Sequence, residues 1–180
     1  MVFFKSLTKE VLSKHLNNVF IETGSQYGHG IDIAIKCGFT QIHSIDIDPK
    51  YHDHCIQRFP QEFNEGFLKL YIGDSAVELS KILMNVNEPA TFWLDAHADY
   101  GIIGKTKCPV LLELEQIKLH HIRTHTILVD DRRMFGKHWG VGTSEKDIID
   151  LLMEINPLYE ISYADGSEPK DIIVAQVRNV

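Results

Sequence analysis

Acidic side chains recur in this sequence directly after short apolar runs, which is where strands end. Asp95 closes the run "TFWL" and is followed by Ala96 and His97, while Asp130 and Asp131 close the run "TILV". If the two runs are neighbouring parallel strands, the three carboxylates meet at one sheet edge as a compact set of oxygen ligands. Hard divalent cations such as Mg²⁺ prefer such sites, so Asp95, Asp130 and Asp131 are predicted metal ligands.

His97 stands beside this acidic site. A neutral imidazole can act as a general base or as a further metal ligand, and the sequence leaves both roles open. A purely structural alternative also exists, in which Asp131 forms a surface ion pair with Arg132 and Asp130 is a turn residue.

A glycine-rich turn lies earlier, in "VFIETGSQYGHGIDIA", where an apolar run passes into a helical pattern. Glu22, Gly24 and Gly28 fall in this turn, which suggests that the polar end of a ligand packs against the backbone. The spacing G-x-x-x-G-x-G differs from the dinucleotide fingerprint G-x-G-x-x-G and therefore disfavours a nicotinamide cofactor.

Two more apolar runs end in acids, at Asp46 and at Gly73-Asp74-Ser75. A single aspartate after a strand is often only a helix N-cap, and this alternative applies most directly to Asp74. Five acidic strand ends at one edge would repel one another unless a ligand or cation used them. The whole set therefore indicates a binding site.

Short β-branched runs alternate with amphipathic segments along the chain. The predicted strands are Val19–Thr23, Gln41–Asp46, 67–72, 91–95 and 126–130. Helices are predicted over 7–16 and 31–37, from Pro49, from a capping box at Ser75 to Met84, from Pro109 and from Ser144. The final stretch, "LYEISYADGSEPKDIIVAQV", predicts two antiparallel strands around a polar turn.

This pattern predicts an α/β fold, with a seven-stranded, mostly parallel sheet, a C-terminal antiparallel hairpin and helices on both faces. Ligands bind such sheets at the carboxyl ends of the strands, where the strand order reverses. We expect a single domain over residues 1–180, in which residues 1–17 are a helical lead-in.

Bulk properties restrict the function classes. The net charge of -7 over 180 residues argues against general binding to nucleic acids or to anionic membranes. Cys37, Cys55 and Cys108 are few and widely spaced, which indicates reduced thiols. Because no apolar run reaches the length of a bilayer span, we expect a cytoplasmic protein that does not bind membranes. The sequence is compatible with a homodimer.

Five motifs together, "FIETGSQYG", "SIDIDP", "IGDS", "FWLDAH" and "ILVDD", resemble those of class I S-adenosylmethionine-dependent methyltransferases. The resemblance extends over residues 19–177 and implies a Rossmann-like class I methyltransferase fold. In motif pattern the chain is most similar to the divalent-metal-dependent O-methyltransferases of the catechol and macrolide-sugar types.

The resemblance implies a cofactor site for S-adenosylmethionine. Glu22 and Gly24 would border its methionine end, Asp46 would accept hydrogen bonds from the ribose, with Asp48 as a competitor, and Asp74 would face the adenine. The full predicted cofactor set is Glu22, Thr23, Gly24, Ser25, Gly28, Asp46, Ile47, Gly73, Asp74, Ser75 and Asp95.

The implied reaction moves a methyl group to a hydroxyl of a small molecule, such as a sugar or a phenol, assisted by a divalent metal. Catechol-type enzymes carry a lysine base where this chain has Ala98, so His97, with Asp95, is the catalytic candidate. The acceptor could be enclosed by the loops 96–108 and 132–143, which carry Tyr100, Arg132, Phe135, Lys137, His138 and Trp139.

Three rival functions stay open. One is a metal-dependent hydrolase that uses Asp95, His97, Asp130 and Asp131. The second is a protein that binds S-adenosylmethionine without catalysis, and the third is a nucleotide-dependent oxidoreductase.

Overall fold

The computed structural model of the protein describes residues 6–98, 101–102 and 104–177, which include a seven-stranded sheet. The strands are β1 (Val19–Thr23), β2 (Gln41–Asp46), β3 (Leu68–Ile72), β4 (Ala90–Leu94), β5 (Thr126–Val129), β6 (Tyr159–Ala164) and β7 (Ile172–Val177). Their order in the sheet is β3-β2-β1-β4-β5-β7-β6. Strands β1 to β5 are parallel, whereas β7 is antiparallel to both β5 and β6.

Burial explains the arrangement of the strands. Every residue of β1 and β4 is buried, as expected for central parallel strands covered by helices on both faces. In β6, at the sheet edge, most residues are only partly buried or exposed. The predicted parallel sheet with a closing antiparallel hairpin is confirmed.

Seven α-helices are described in the resolved ranges. They are α1 (Lys9–Leu12), α2 (His29–Cys37), α3 (Pro49–Arg58), α4 (Pro60–Asn64), α5 (Ser75–Leu83), α6 (Val110–Leu119) and α7 (Glu145–Ile155). Short 3₁₀ turns lie at Arg132–Met134 and His138–Gly140. Among these residues, no helix has the length and apolar character needed to cross a bilayer.

Two apolar cores form, one on each face of the sheet. On one face, α5, α6 and α7 pack their inward residues, among them Leu79, Leu114 and Leu152, against the sheet. On the other face, α1, α2 and α3 contribute Leu12, Ile31 and Cys55. The sheet is therefore held between two helical layers, and its carboxyl edge stays open for a ligand.

Helix starts follow the sequence signals in two cases. Pro49 is at the first turn of α3, with Asp48 as the N-cap. Ser144 caps α7 in a capping box with Asp147, which confirms the predicted start.

Several predicted boundaries are wrong. The helix over 7–16 is reduced to the single turn α1, since Leu16 is 52% exposed and buries no apolar face that would extend it. The capping box predicted at Ser75 does not form, because Asp74 is the N-cap and Ser75 is already helical. Strands β4 and β5 end one residue earlier than predicted, so Asp95 and Asp130 follow their strands directly.

Candidate active site

A cleft of about 470 Å³ opens at the carboxyl edge of the sheet. Strand β1 lies at the centre, with β2 and β3 on one side and β4 and β5 on the other, and this reversal of order creates the crevice. Predicted cofactor residues that line the cleft are Gly24, Asp46, Ile47, Gly73, Asp74, Ser75 and Asp95. The other predicted residues, Glu22, Thr23, Ser25 and Gly28, are buried and do not line it.

Gly24 allows the backbone after β1 to form part of the cleft wall. Its φ of 87° is left-handed, and a Cβ at this position would lie 2.6 Å from the carbonyl oxygen of Asp95. No side chain fits there without moving the backbone. The glycine therefore allows the turn after β1 to lie directly against the end of β4.

Glu22 lies behind this turn and does not line the cleft. It is 1% exposed, and its Oε1 accepts a hydrogen bond of 2.7 Å from the Ser44 hydroxyl. Ser44 in turn contacts the Ser25 hydroxyl at 2.5 Å. Burial raises the pKa of Glu22 to about 8. Its carboxyl group packs against Gly30 and thereby supports the turn after β1.

Asp46 and Asp48 both line the cleft, but their side chains are held differently. Asp46 accepts backbone hydrogen bonds from Gln26 at 2.8 Å and from Asp48 at 2.9 Å. Burial raises its pKa, and these N–H donors oppose the shift. Asp48 accepts from the backbone of Lys50 at 3.0 Å as the cap of α3. The backbone of Ile47 is a third donor to Asp46, so the carboxylate keeps at least one acceptor position for a ligand hydroxyl.

Asp74 is both a helix cap and a cleft residue. Its Oδ1 accepts from the backbone of Ala76 at 3.0 Å, and its Oδ2 accepts from the backbone of Lys105 at 2.6 Å. Asp74 is therefore a helix N-cap, as the structural alternative predicts. The Lys105 contact brings the loop after β4 across the cleft, where Gly104 packs closely against the same carboxylate.

Asp95, His97 and Asp131 converge at the other end of the cleft. The Nδ1 atom of His97 lies 3.4 Å from Oδ1 of Asp95 and 3.2 Å from Oδ2 of Asp131. One ligand-capable atom from each residue falls within 4.8 Å of the other two. An imidazole nitrogen and two carboxylate oxygens in this arrangement suit a divalent cation.

Asp130 belongs to a different group, so the predicted set of Asp95, Asp130 and Asp131 changes in composition. Its Oδ1 accepts a 2.6 Å hydrogen bond from Ser6, and its carboxylate groups with those of Asp131 and Asp171. Asp131 therefore belongs to both groups, whereas Asp95 and Asp130 do not share one. Burial, with Asp95 and Asp131 nearby, raises the pKa of Asp130 well above its usual value.

Arg133 is the cationic partner of Asp131, whereas the sequence suggested Arg132. Its Nη1 lies 2.6 Å from Oδ1 of Asp131 and also contacts the buried carboxylate of Asp171. Arg132 instead pairs with Glu145 at 2.9 Å. Burial and Asp95 raise the pKa of Asp131, while His97 and Arg133 oppose that shift.

Loop residues proposed to enclose an acceptor fall into two groups. Trp139 is 6% exposed, and its ring stacks on His97; it borders a small cavity together with Phe135. Lys137 and His138 are exposed on the surface of the same loop. Tyr100 lies outside the described residues.

Glu113 on α6 was missed by the sequence reasoning. It is 1% exposed, and neither carboxylate oxygen has a well-formed hydrogen bond within the described ranges. Burial raises its pKa to about 7, and the nearby hydroxyls of Ser75 and Thr23 oppose this shift. The sequence does carry a signal for this residue: Glu113 falls on the same helix face as the apolar residues Val110, Leu114 and Ile117, which are buried.

The sheet order and closing hairpin, with the cleft at the strand ends, define the Rossmann-like fold of class I S-adenosylmethionine-dependent methyltransferases. An O-methyltransferase from Bacillus cereus, solved with SAH, is 14% identical, with a TM-score of 0.63 over 94% of this chain and 78% of that chain. A protein from Streptococcus mutans described as a methyltransferase, also solved with SAH, is 12% identical. Its TM-score is 0.61 over 94% of this chain and 95% of that chain.

A protein from Clostridium thermocellum described as an rRNA methylase is 10% identical, with a TM-score of 0.63 over 97% of each chain. The sequence matches no protein-family model and no curated protein. At these identities the comparisons establish the fold.

Proposed function

We propose that this protein is an S-adenosylmethionine-dependent methyltransferase that methylates a hydroxyl of a small molecule. One observation carries the proposal: a single cleft on a class I fold joins the acids Asp46 and Asp74 to the Asp95–His97 pair. The similar structures that contain SAH support the cofactor class. The net charge of -7 disfavours a polyanionic acceptor such as RNA.

The cofactor would span the cleft from Asp74 to Asp95. Asp46 would accept hydrogen bonds from the ribose hydroxyls, because a charge-assisted acceptor is stronger than a neutral one. Asp74 and Ser75 would meet the adenine, and the turn at Gly24 would meet the methionine end. Glu22 would act indirectly, by holding that turn.

Methyl transfer is an in-line displacement. When bound, S-adenosylmethionine would supply an activated methyl group, which the acceptor oxygen would take while the sulfur kept the electron pair of the broken bond. The hydroxyl proton goes to His97. Its Nδ1 faces the two carboxylates and carries hydrogen in the neutral tautomer they favour, which gives Nε2 the proton-accepting role.

A divalent cation also fits the donor set of Asp95, His97 and Asp131, as the alternative to the base role of His97, because an imidazole that binds the ion through Nδ1 carries its hydrogen on Nε2. When bound there, such an ion supplies Lewis-acid stabilisation and lowers the pKa of a coordinated hydroxyl. Arg133 already neutralises one oxygen of Asp131, so the other oxygen would face the ion.

A metal-dependent hydrolase is the second candidate. It is favoured by the convergence of Asp95, His97 and Asp131, which needs no nucleoside cofactor. Metal-dependent turnover that persists in Asp46→Ala and Asp74→Ala variants would support this candidate over methyl transfer.

Calorimetric titration of the purified protein with S-adenosylmethionine, S-adenosylhomocysteine and NAD⁺ tests the proposal, with Mg²⁺ or with EDTA. We expect micromolar binding of the two adenosyl ligands, no binding of NAD⁺, and loss of binding in Asp46→Ala. Folded protein that gives no heat with either adenosyl ligand would reject the proposal. Binding without turnover across a panel of hydroxyl acceptors would favour a non-catalytic binding protein.

A further inference from the structure

Glu113 is a buried acid that the proposed methyl transfer does not use. Glu113 lines a cavity of about 10 Å³, whose other polar walls are Asp95, His97 and Asp130. Neither of its oxygens has a well-formed hydrogen bond within the described ranges. Buried carboxylates in folded proteins almost always have hydrogen-bond partners, so Glu113 requires a physical explanation.

The size and polarity of this cavity suit one small polar guest. A volume of roughly 10–15 Å³ admits a single water molecule, and buried waters typically make about three hydrogen bonds to polar groups. Direct ligation of a common cation by Glu113 is not supported, since Glu113 is absent from both clusters whose ligand atoms lie within 4.8 Å. A water molecule spans a longer gap between two polar groups.

We propose that one buried water occupies this cavity and joins the Glu113 carboxyl to Asp95 and His97, which makes Glu113 a positioning residue for the imidazole. The reactive role of His97 rests on the proposed function, whereas the water-mediated contact between Glu113 and His97 does not. Trp139 holds one face of the ring, and the two aspartates hold Nδ1. The water would restrain the ring from the side of α6.

The test compares Glu113→Leu, which removes every polar atom, with Glu113→Gln, which keeps a hydrogen-bonding head of the same size. Both substitutions remove the cost of burying a carboxylate, so both variants should fold, and circular dichroism checks this before the comparison. Glu115→Leu and Glu115→Gln are matched controls, because Glu115 is exposed on the same helix.

The main readout is ¹⁵N NMR of the His97 ring in ligand-free protein with EDTA, assigned by the signals that vanish in His97→Gln. We expect one fixed tautomer in the wild type, in Glu113→Gln and in both controls, and averaged ring nitrogen signals in Glu113→Leu. Wild-type signals in Glu113→Leu would overturn the proposal, as would equal averaging in Glu113→Gln.

Turnover provides a second readout once an acceptor is known. Loss of an outer-shell partner typically lowers activity by about 10- to 100-fold, and we expect kcat of Glu113→Leu to fall in this range with KM for the cofactor unchanged. A change confined to KM would also overturn the proposal. Failure of S-adenosylmethionine to bind would reject the proposed function and leave the NMR result intact.

Discussion

The imidazole of His97 lies flat against the indole of Trp139, with ring centroids 3.9 Å apart and 8° between the ring planes. This stacking fixes the plane of the imidazole, so that Nδ1 faces Asp95 and Asp131 together. The candidate chemistry at the end of the cleft therefore depends on an aromatic residue from the loop after β5.

Manganese binding tests this arrangement. We expect Trp139→Leu to weaken Mn²⁺ binding about tenfold, because the imidazole is no longer held in place, and Trp139→Phe to retain most of the affinity. Asp131→Asn should abolish binding, whereas Asp130→Asn should leave it nearly unchanged because Asp130 belongs to another group. Mn²⁺ electron paramagnetic resonance measures all four variants. Loss of binding only in Asp130→Asn would contradict this assignment.

Asp46 and Asp48 compete for the ribose, and substitution by asparagine separates them. We expect Asp46→Asn to weaken binding of S-adenosylmethionine at least tenfold, since a charged acceptor is replaced by a neutral amide. Asp48→Asn should have a small effect, because asparagine also caps helices well. Calorimetry gives both affinities, and the reverse order would assign the ribose to Asp48.

Burial of Glu22 gives stability a specific pH dependence. Its folded pKa of about 8 lies above the ordinary value of 4.5 for a glutamate, so the folded state holds more protons between these two values. The free energy of unfolding should therefore decrease as pH rises through this window, by up to about 1.4 kcal/mol per pH unit. Glu22→Gln should flatten this part of the profile in urea unfolding, and exposed Glu168→Gln should not.

His125 should give the opposite pH dependence. The backbone of Ala90 donates to its Nδ1 at 3.0 Å, its Nε2 contacts His120 at 2.9 Å, and burial lowers its pKa to about 3. Stability from the neutral ring is complete above 6.5, the ordinary pKa of histidine, and is lost as pH falls towards 3. His125→Asn keeps an acceptor for Ala90, and its unfolding free energy should lose this acid dependence. An unchanged slope between pH 6.5 and 4 would contradict this explanation.

Arg133 and Arg132 form a matched pair for testing charge burial. Arg133→Met leaves Asp131 and Asp171 without their shared cation, and both carboxylates are buried. We expect a loss of about 2–3 kcal/mol, below the cost for a fully buried pair because the Arg133 side chain is 38% exposed. Arg132→Met breaks a more accessible pair with Glu145 and should cost less than about 1 kcal/mol. Equal losses of unfolding free energy in the two variants, measured by urea unfolding, would argue against the bridging role of Arg133.

Much of the site was predictable because strand ends are local features. Short apolar runs followed by an acid placed Asp46, Asp74 and Asp95 at one sheet edge, and the structure has all three on the cleft wall. Alternation of strands and helices was sufficient for the parallel sheet, since each crossover connection restricts its topology.

The remaining features depend on contacts between distant residues or on one backbone angle. Asp131 has a φ of 57°, a left-handed conformation that its sequence neighbours do not dictate. Arg133 and Asp171 are 38 residues apart, and only the folded sheet brings them together. Glu22 likewise supports the turn after β1 by packing against Gly30, and the hydrophobic periodicity of the sequence does not predict this contact.

The position of β7 between β5 and β6 has a consequence for synthesis on the ribosome. Among the described strands, β6 pairs with β7 alone, and β7 also covers the outer edge of β5. A nascent chain that has already formed β1 to β5 therefore carries an unpaired edge until residues 172–177 emerge from the exit tunnel. During that interval the open edge is able to pair with other chains, so overexpression is expected to require slow translation or a chaperone that covers β5.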